Sequence, residues 1–171
     1  SAAPTSDPSV TTAPTTAPST EPTKAPATVK KGDKVTVSGA KYVATSSKEV
    51  SYTAAKKATA SVVIPATVKV NGKTLKVTSI AAKAFKGNSA VKTLTVGKNI
   101  TTFGANAFNG CKKLKTLTIK STNLKSSKIA KNAFKGISKK TTVKVPKNKL
   151  KAYKKLLRKK GLAKSVGVKS L

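Results

Sequence analysis

The sequence predicts a β-rich solenoid with one short parallel strand and one short helical turn per repeat, an N-terminal β cap and a C-terminal capping helix. Three observations lead there. The tetrad Ala-Phe-x-Gly recurs as Ala84-Phe85-Lys86-Gly87, Ala107-Phe108-Asn109-Gly110 and Ala133-Phe134-Lys135-Gly136, with Phe-to-Phe spacings of 23 and 26 residues. A large apolar residue, Ile80, Phe103 or Ile129, stands five positions before each Phe. After each Gly comes a short run, Leu94-Thr95-Val96, Leu117-Thr118-Ile119 or Val143-Lys144-Val145. Two apolar side chains flank an outward position in each run, the period-two pattern of a strand with one buried face.

Residues 1–28 come first, and 24 of these 28 positions are Thr, Pro, Ala or Ser. With Val10 as the only sizeable apolar side chain, this segment cannot offset the entropy of ordering, and its regularly spaced Pro residues favour extended polyproline II. It is read as a disordered stalk or an interdomain linker, a composition that often carries O-glycans. The chain opens on Ser1 and contains no apolar run long enough to span a membrane and no signal-peptide core, so the expectation is a processed, secreted chain.

Residues 29–60 read as an N-terminal β cap: Val35-Thr36-Val37, Lys41-Tyr42-Val43-Ala44 and Val50-Ser51-Tyr52 alternate in polarity and are joined by the turn-prone Ser38-Gly39 and Ser46-Ser47. Residues 61–145 hold the repeats, with Val62-Val63-Ile64 as an upstream counterpart of the strand runs. A period of 20–29 residues with one strand, one turn and a second apolar cluster is the mark of a leucine-rich-repeat solenoid. No such repeat buries its apolar side alone, so stacking must place Ile64, Val96, Ile119 and Val145 in one internal ladder and Phe85, Phe108 and Phe134 in another. Gly87, Gly110 and Gly136 are expected to end the helical turns in a left-handed conformation. Residues 146–171 read as a closing helix, capped by Asn148 and stopped by Gly161, followed by a final strand. Leu150, Tyr153, Leu156 and Leu157 give that helix one narrow apolar face. Its Lys-rich remainder could meet a membrane surface or an anionic polymer, but a solenoid end needs covering, and the cap is the preferred reading.

Charge narrows the function. The chain has 36 Lys+Arg against 4 Asp+Glu, no His, one Cys, and a formal net charge of +32. Asp7, Glu21, Asp33 and Glu49 are the only acids, so residues 50–171 hold thirty basic groups and no carboxylate. General acid–base and nucleophilic catalysis draw on His, carboxylates, Lys, Tyr or Cys in hydrogen-bonded constellations, and this stretch offers only Lys, two Tyr and Cys111. Zinc and calcium sites lack their donors, and a single Cys forms no intrachain disulfide. Cys111, placed in phase with the repeat, is read as a small buried hydrophobe. The expectation is a non-enzymatic monomer with no cofactor, no metal and no transmembrane segment.

The pattern Ile-x-x-x-Ala-Phe-x-Gly followed by Cys111-Lys-Lys-Leu-Lys-Thr-Leu-Thr-Ile119 resembles the BspA-like leucine-rich-repeat surface proteins of bacteria, in particular versions from anaerobic Gram-positive gut species. The resemblance covers about residues 60–171, including the closing segment from Val145 to Leu157. It implies a secreted or cell-surface protein that binds host or matrix components without catalysis. The sequence departs from the commoner leucine-rich pattern: Asn99 is matched by Thr122 rather than a second Asn, and Ser126 stands where Val77 and Ile100 are apolar. These departures bear on the regularity of the curvature.

Aligned repeats place Thr93, Thr116 and Thr142 in one outward file and Thr95, Thr118 and Lys144 in another, flanked by Lys92 and Lys115. These eight residues are the candidate ligand-binding face. Such hydroxyls edged by ammonium groups suit a host or matrix glycan or protein, or an anionic cell-wall polymer; the competing reading is Thr for strand propensity and Lys for solubility. Non-specific nucleic-acid binding is the third reading, weakened because only Arg158 among the basic residues is Arg and the aromatics are committed to the core.

Overall fold

The computed structural model describes residues 28–54 and 59–171; the expected stalk lies outside them except for Thr28. In chain order the strands are β1 (Lys34–Val37), β2 (Ala40–Ala44), β3 (Glu49–Ala54), β4 (Ser61–Ile64), β5 (Thr67–Val70), β6 (Lys73–Ile80), β7 (Thr93–Val96), β8 (Thr102–Phe103), β9 (Thr116–Ile119) and β10 (Thr142–Val145). Helix α1 (Leu150–Lys159) and β11 (Gly167–Ser170) close the order.

The strands form two sheets. One is wholly parallel, in the order β4-β7-β9-β10-β11. Its inward residues form the expected ladder, since Ile64 pairs with Val96, Val96 with Ile119, and all three are buried along with Val145. The other sheet runs β1-β2-β3-β6-β5, with β8 also on β6. One strand per repeat was the expectation; the early repeats instead contribute a second strand on the opposite wall. The apolar residues five positions before each Phe occupy it, because Tyr52, Ile80, Phe103 and Ile129 pair in sequence.

Between the sheets lies an aromatic stack. Tyr52, Phe85, Phe108 and Phe134 succeed one another at centroid separations of 5.4, 5.6 and 5.4 Å with rings nearly parallel, and Tyr42 meets Tyr52 edge-on at 5.4 Å. Offset stacking at these distances adds to the burial of each ring. The stack begins on β3, so residues 29–54 share the core of the repeats.

The Ala-Phe-x-Gly segments are not helical. Each is a succession of tight turns, because Lys83, Asn106 and Asn132, two residues before each Phe, take left-handed backbone angles of φ 59, 53 and 61°. A left-handed residue cannot continue a right-handed helical ladder. Alternate amides of the turn instead donate to the next repeat: Lys83 N–H to Ala105 O, Phe85 N–H to Ala107 O and Gly87 N–H to Asn109 O, at 3.1, 2.8 and 3.1 Å. The left-handed glycine that ends each turn is present, with Gly87, Gly110 and Gly136 at φ 71, 93 and 84°.

The departure at Ser126 has a local consequence. Here the second sheet shrinks to a lone bridge, Phe103 to Ile129, and Ser126–Lys128 winds into a 3-10 turn. Leu124 supplies the buried side chain instead, and its N–H donates to the Tyr153 hydroxyl of α1 at 2.9 Å. Helix α1 buries Tyr153 and Leu157, with Leu150 and Leu156 packed at the edge. Asn148 does not cap it: Pro146 leads into a 3-10 turn over Lys147–Lys149, the chain is already wound at Asn148, and Lys149 takes the cap position without a side-chain bond. Gly161 stops the helix at φ +102°.

Candidate binding face

The outward side of the parallel sheet is set by strand register. Side chains alternate along each strand, and with Leu94, Val96, Leu117 and Ile119 buried, the intervening Thr residues must face out. Thr93 pairs with Thr116 and Thr116 with Thr142; Thr95 pairs with Thr118 and Thr118 with Lys144. Both expected files therefore exist, with neighbouring strands about 4.8 Å apart. Lys92 and Lys115 sit on adjacent rungs, joined by Lys115 N–H to Lys92 O at 2.7 Å, and both are exposed. Their row stops after two members. The next rung places Thr141 there, buried, with its hydroxyl donating to Leu114 O at 2.6 Å.

Register also extends the files beyond the eight residues. Ser61 and Val63 on β4 precede Thr93 and Thr95, and Lys169 on β11 follows Lys144. Val63 is 64% exposed, an apolar side chain left on the face. It opens onto a hollow of about 240 Å³ shared with Pro65, Thr95, Lys98 and Lys120. Lys98 and Lys120 lie just past the exits of β7 and β9, and lengthening the repeat alignment by two residues was the signal that could have found them.

Cys111 and the three Tyr lie elsewhere, inside the core. Cys111 is fully buried, its Sγ 3.7 Å from Phe85 O, and burial pushes its thiol up to about 11, so it acts as the small hydrophobe expected. Tyr42, Tyr52 and Tyr153 are buried too, and loss of water raises all three phenols above their ordinary range. Among the described residues no cluster of His, Cys, Asp or Glu could hold a metal ion, and no helix is long and apolar enough to cross a membrane.

Comparison with known proteins fits this geometry. The family described as BspA type leucine rich repeat region matches residues 60–166, in six copies. The chain belongs to the BspA-type leucine-rich-repeat family. The six copies outnumber the three segments that carry Ala-Phe-x-Gly. Among solved structures, a leucine rich cell surface protein of Faecalibacterium prausnitzii aligns with a TM-score of 0.54 at 23% identity, over 65% of this chain and 30% of that one. This chain thus spans under a third of that protein. A leucine-rich repeat protein of Bacteroides capillosus aligns with a TM-score of 0.52 at 16% identity, over 81% of this chain and 98% of the other. Both likenesses are of fold. No curated protein matches the sequence.

Proposed function

We propose that this BspA-type repeat protein is a non-catalytic binding module, secreted or held at a bacterial cell surface, that adheres to a host or matrix glycan or protein. The ligand meets the outward face of the parallel sheet through Lys92, Thr93, Thr95, Lys115, Thr116, Thr118, Thr142 and Lys144. The observation that supports this most is the register of those strands: an array of hydroxyls and ammonium groups, repeated from rung to rung, is a surface that a linear polymer can follow. The likeness in fold to a cell surface protein supports the location. In this reading residues 1–28 are a stalk, 29–60 and 146–171 close the two ends of the solenoid, and 61–145 present the ligand face.

A second reading is favoured by the uncompensated charge after Glu49: attachment to an anionic cell-wall polymer. Binding to immobilised glycans, matrix proteins, teichoic acid and DNA at ~0.05 and ~0.3 M salt separates the two, because counterion release weakens purely charge-driven binding steeply. Adhesion predicts a preferred glycan or protein still bound at the higher salt. Loss of every interaction there would leave only the charge-driven reading.

A further inference from the structure

At the entry ends of the parallel strands lies a shallow hollow of about 200 Å³ ringed by Lys92, Lys112, Lys113, Lys115 and Lys140. Its lining is mostly aliphatic carbon, with Leu114, which is largely buried, and Ser138 set among the lysines. Three of these lysines, Lys112, Lys113 and Lys140, are outside the face described above. Five ammonium groups of one sign around a concave surface concentrate the field within it, and no carboxylate occurs after Glu49 to oppose them.

The backbone that carries these lysines is fixed. Lys92 and Lys115 are hydrogen-bonded neighbours. Leu114 N–H donates to Cys111 O at 3.3 Å and Ser138 N–H to the same carbonyl at 3.4 Å, while Thr141 ties its rung to Leu114. Lys140 N–H donates to the Ser138 hydroxyl at 3.2 Å. The α1 lysines, by contrast, radiate from a single exposed helix side.

Three features select the ligand class. The hollow is smaller than the ~300 Å³ where small-molecule pockets begin, so it holds one unit of a polymer. Every Phe and Tyr of the chain is buried, leaving no ring on which a nucleobase could stack. The sole Arg is engaged by the carbonyls of Ala163 and Val166. A mostly aliphatic lining that also carries five ammonium groups accommodates the C–H face of a sugar whose substituents are anionic, which a flexible polyol phosphate does not present. We propose that this hollow is the anchoring subsite for a sulfated sugar of a linear glycan, its sulfate held by Lys112, Lys113 and Lys140 and its chain continuing across the Thr face. The inference rests on the glycan-adhesion reading and names its ligand class.

The test is calorimetric titration of the full chain with a heparin-derived sulfated hexasaccharide at about 0.15 M salt, alongside a glycerol-phosphate oligomer and single-stranded DNA of equal charge. The variant Lys112→Gln/Lys113→Gln/Lys140→Gln should lose roughly tenfold in affinity for the hexasaccharide, and the charge-matched helix variant Lys151→Gln/Lys154→Gln/Lys155→Gln about twofold or less. Circular dichroism melting checks that both fold. Equal losses in the two variants would overturn the subsite, as would wild-type affinity for the phosphate oligomer or DNA matching that for the hexasaccharide. If the wild type binds the hexasaccharide and the hollow variant binds it undiminished, this inference alone fails. If the wild type binds nothing on the wider glycan and protein panel, the adhesion reading fails with it.

Discussion

Phe108 shows how a single residue holds the fold. Its ring lies between Phe85 and Phe134 at 5.6 and 5.4 Å, touches Phe103 at 5.8 Å, and is fully buried. Phe108→Ala removes the middle of the stack from both neighbours and should cost roughly 3–5 kcal/mol, read as a lowered urea midpoint. Ionisation gives a second residue-level prediction. Burial raises Cys111 from its ordinary value near 9 to about 11 and lifts Tyr42, Tyr52 and Tyr153 in the same direction. For Tyr153 the hydrogen bond from Leu124 opposes the rise in part. The folded chain therefore keeps protons that the unfolded chain releases. The stability these groups confer is complete below pH ~9 and is lost as pH rises through their folded values. Tyrosinate absorbance should appear at higher pH in the native protein than in urea, and Cys111 should resist thiol reagents until the protein unfolds. Coincident titrations would remove these rings from the core.

At the level of elements, the legible parts were those with an apolar period. Phe85, Phe108 and Phe134 fixed the phase, and from it the buried ladder and both Thr files followed at the correct register. That the turns are not helical was not legible, because it depends on a left-handed residue in each besides the closing Gly, and Lys83 gives no hint of it where Asn106 and Asn132 do. The hairpin of β5 and β6 carries a sequence signal of its own: Asn71-Gly72, at φ 49 and 75°, is the two-residue turn that joins twisted strands, between alternating Val68, Val70, Leu75 and Val77. Lys140 and Lys112 belong to one hollow only because a turn of one repeat folds over the next, a relation that spacing along the chain does not express. Element contact also explains Gly104. Gly104 N–H donates to Ile80 O at 2.8 Å, and a Cβ on Gly104 would run into the backbone of Ala81 and Ala82. No flexible side chain can yield there, so Gly104→Ala should separate the rungs. Thermal melting should show a loss well above the typical ~1 kcal/mol of a point substitution, or no cooperative transition. A melting curve like that of the wild type would contradict this close approach.

Across the whole molecule, charge and packing are divided between surface and core. The buried residues are almost wholly apolar, with Ser121 and Thr141 the buried polar exceptions among the described residues. The Lys residues lie mostly on the outside, and no acidic residue follows Glu49 in the chain. Such self-repulsion acts against compactness and is screened within ~8–10 Å at moderate salt. The melting temperature should therefore rise as salt is raised from ~0.01 to ~0.3 M, whereas a fall would mean that attractive pairs outweigh repulsion. Retaining so many like charges is consistent with a binding surface that recruits an anionic polymer. The central claim, that the parallel-sheet face and its Lys-ringed hollow take the ligand, is tested most directly by nuclear magnetic resonance of the isotopically labelled chain titrated with the sulfated hexasaccharide. Amide shifts should concentrate at 92–95, 112–118 and 138–144; shifts confined to 147–160, or spread evenly over every lysine-bearing segment, would contradict it.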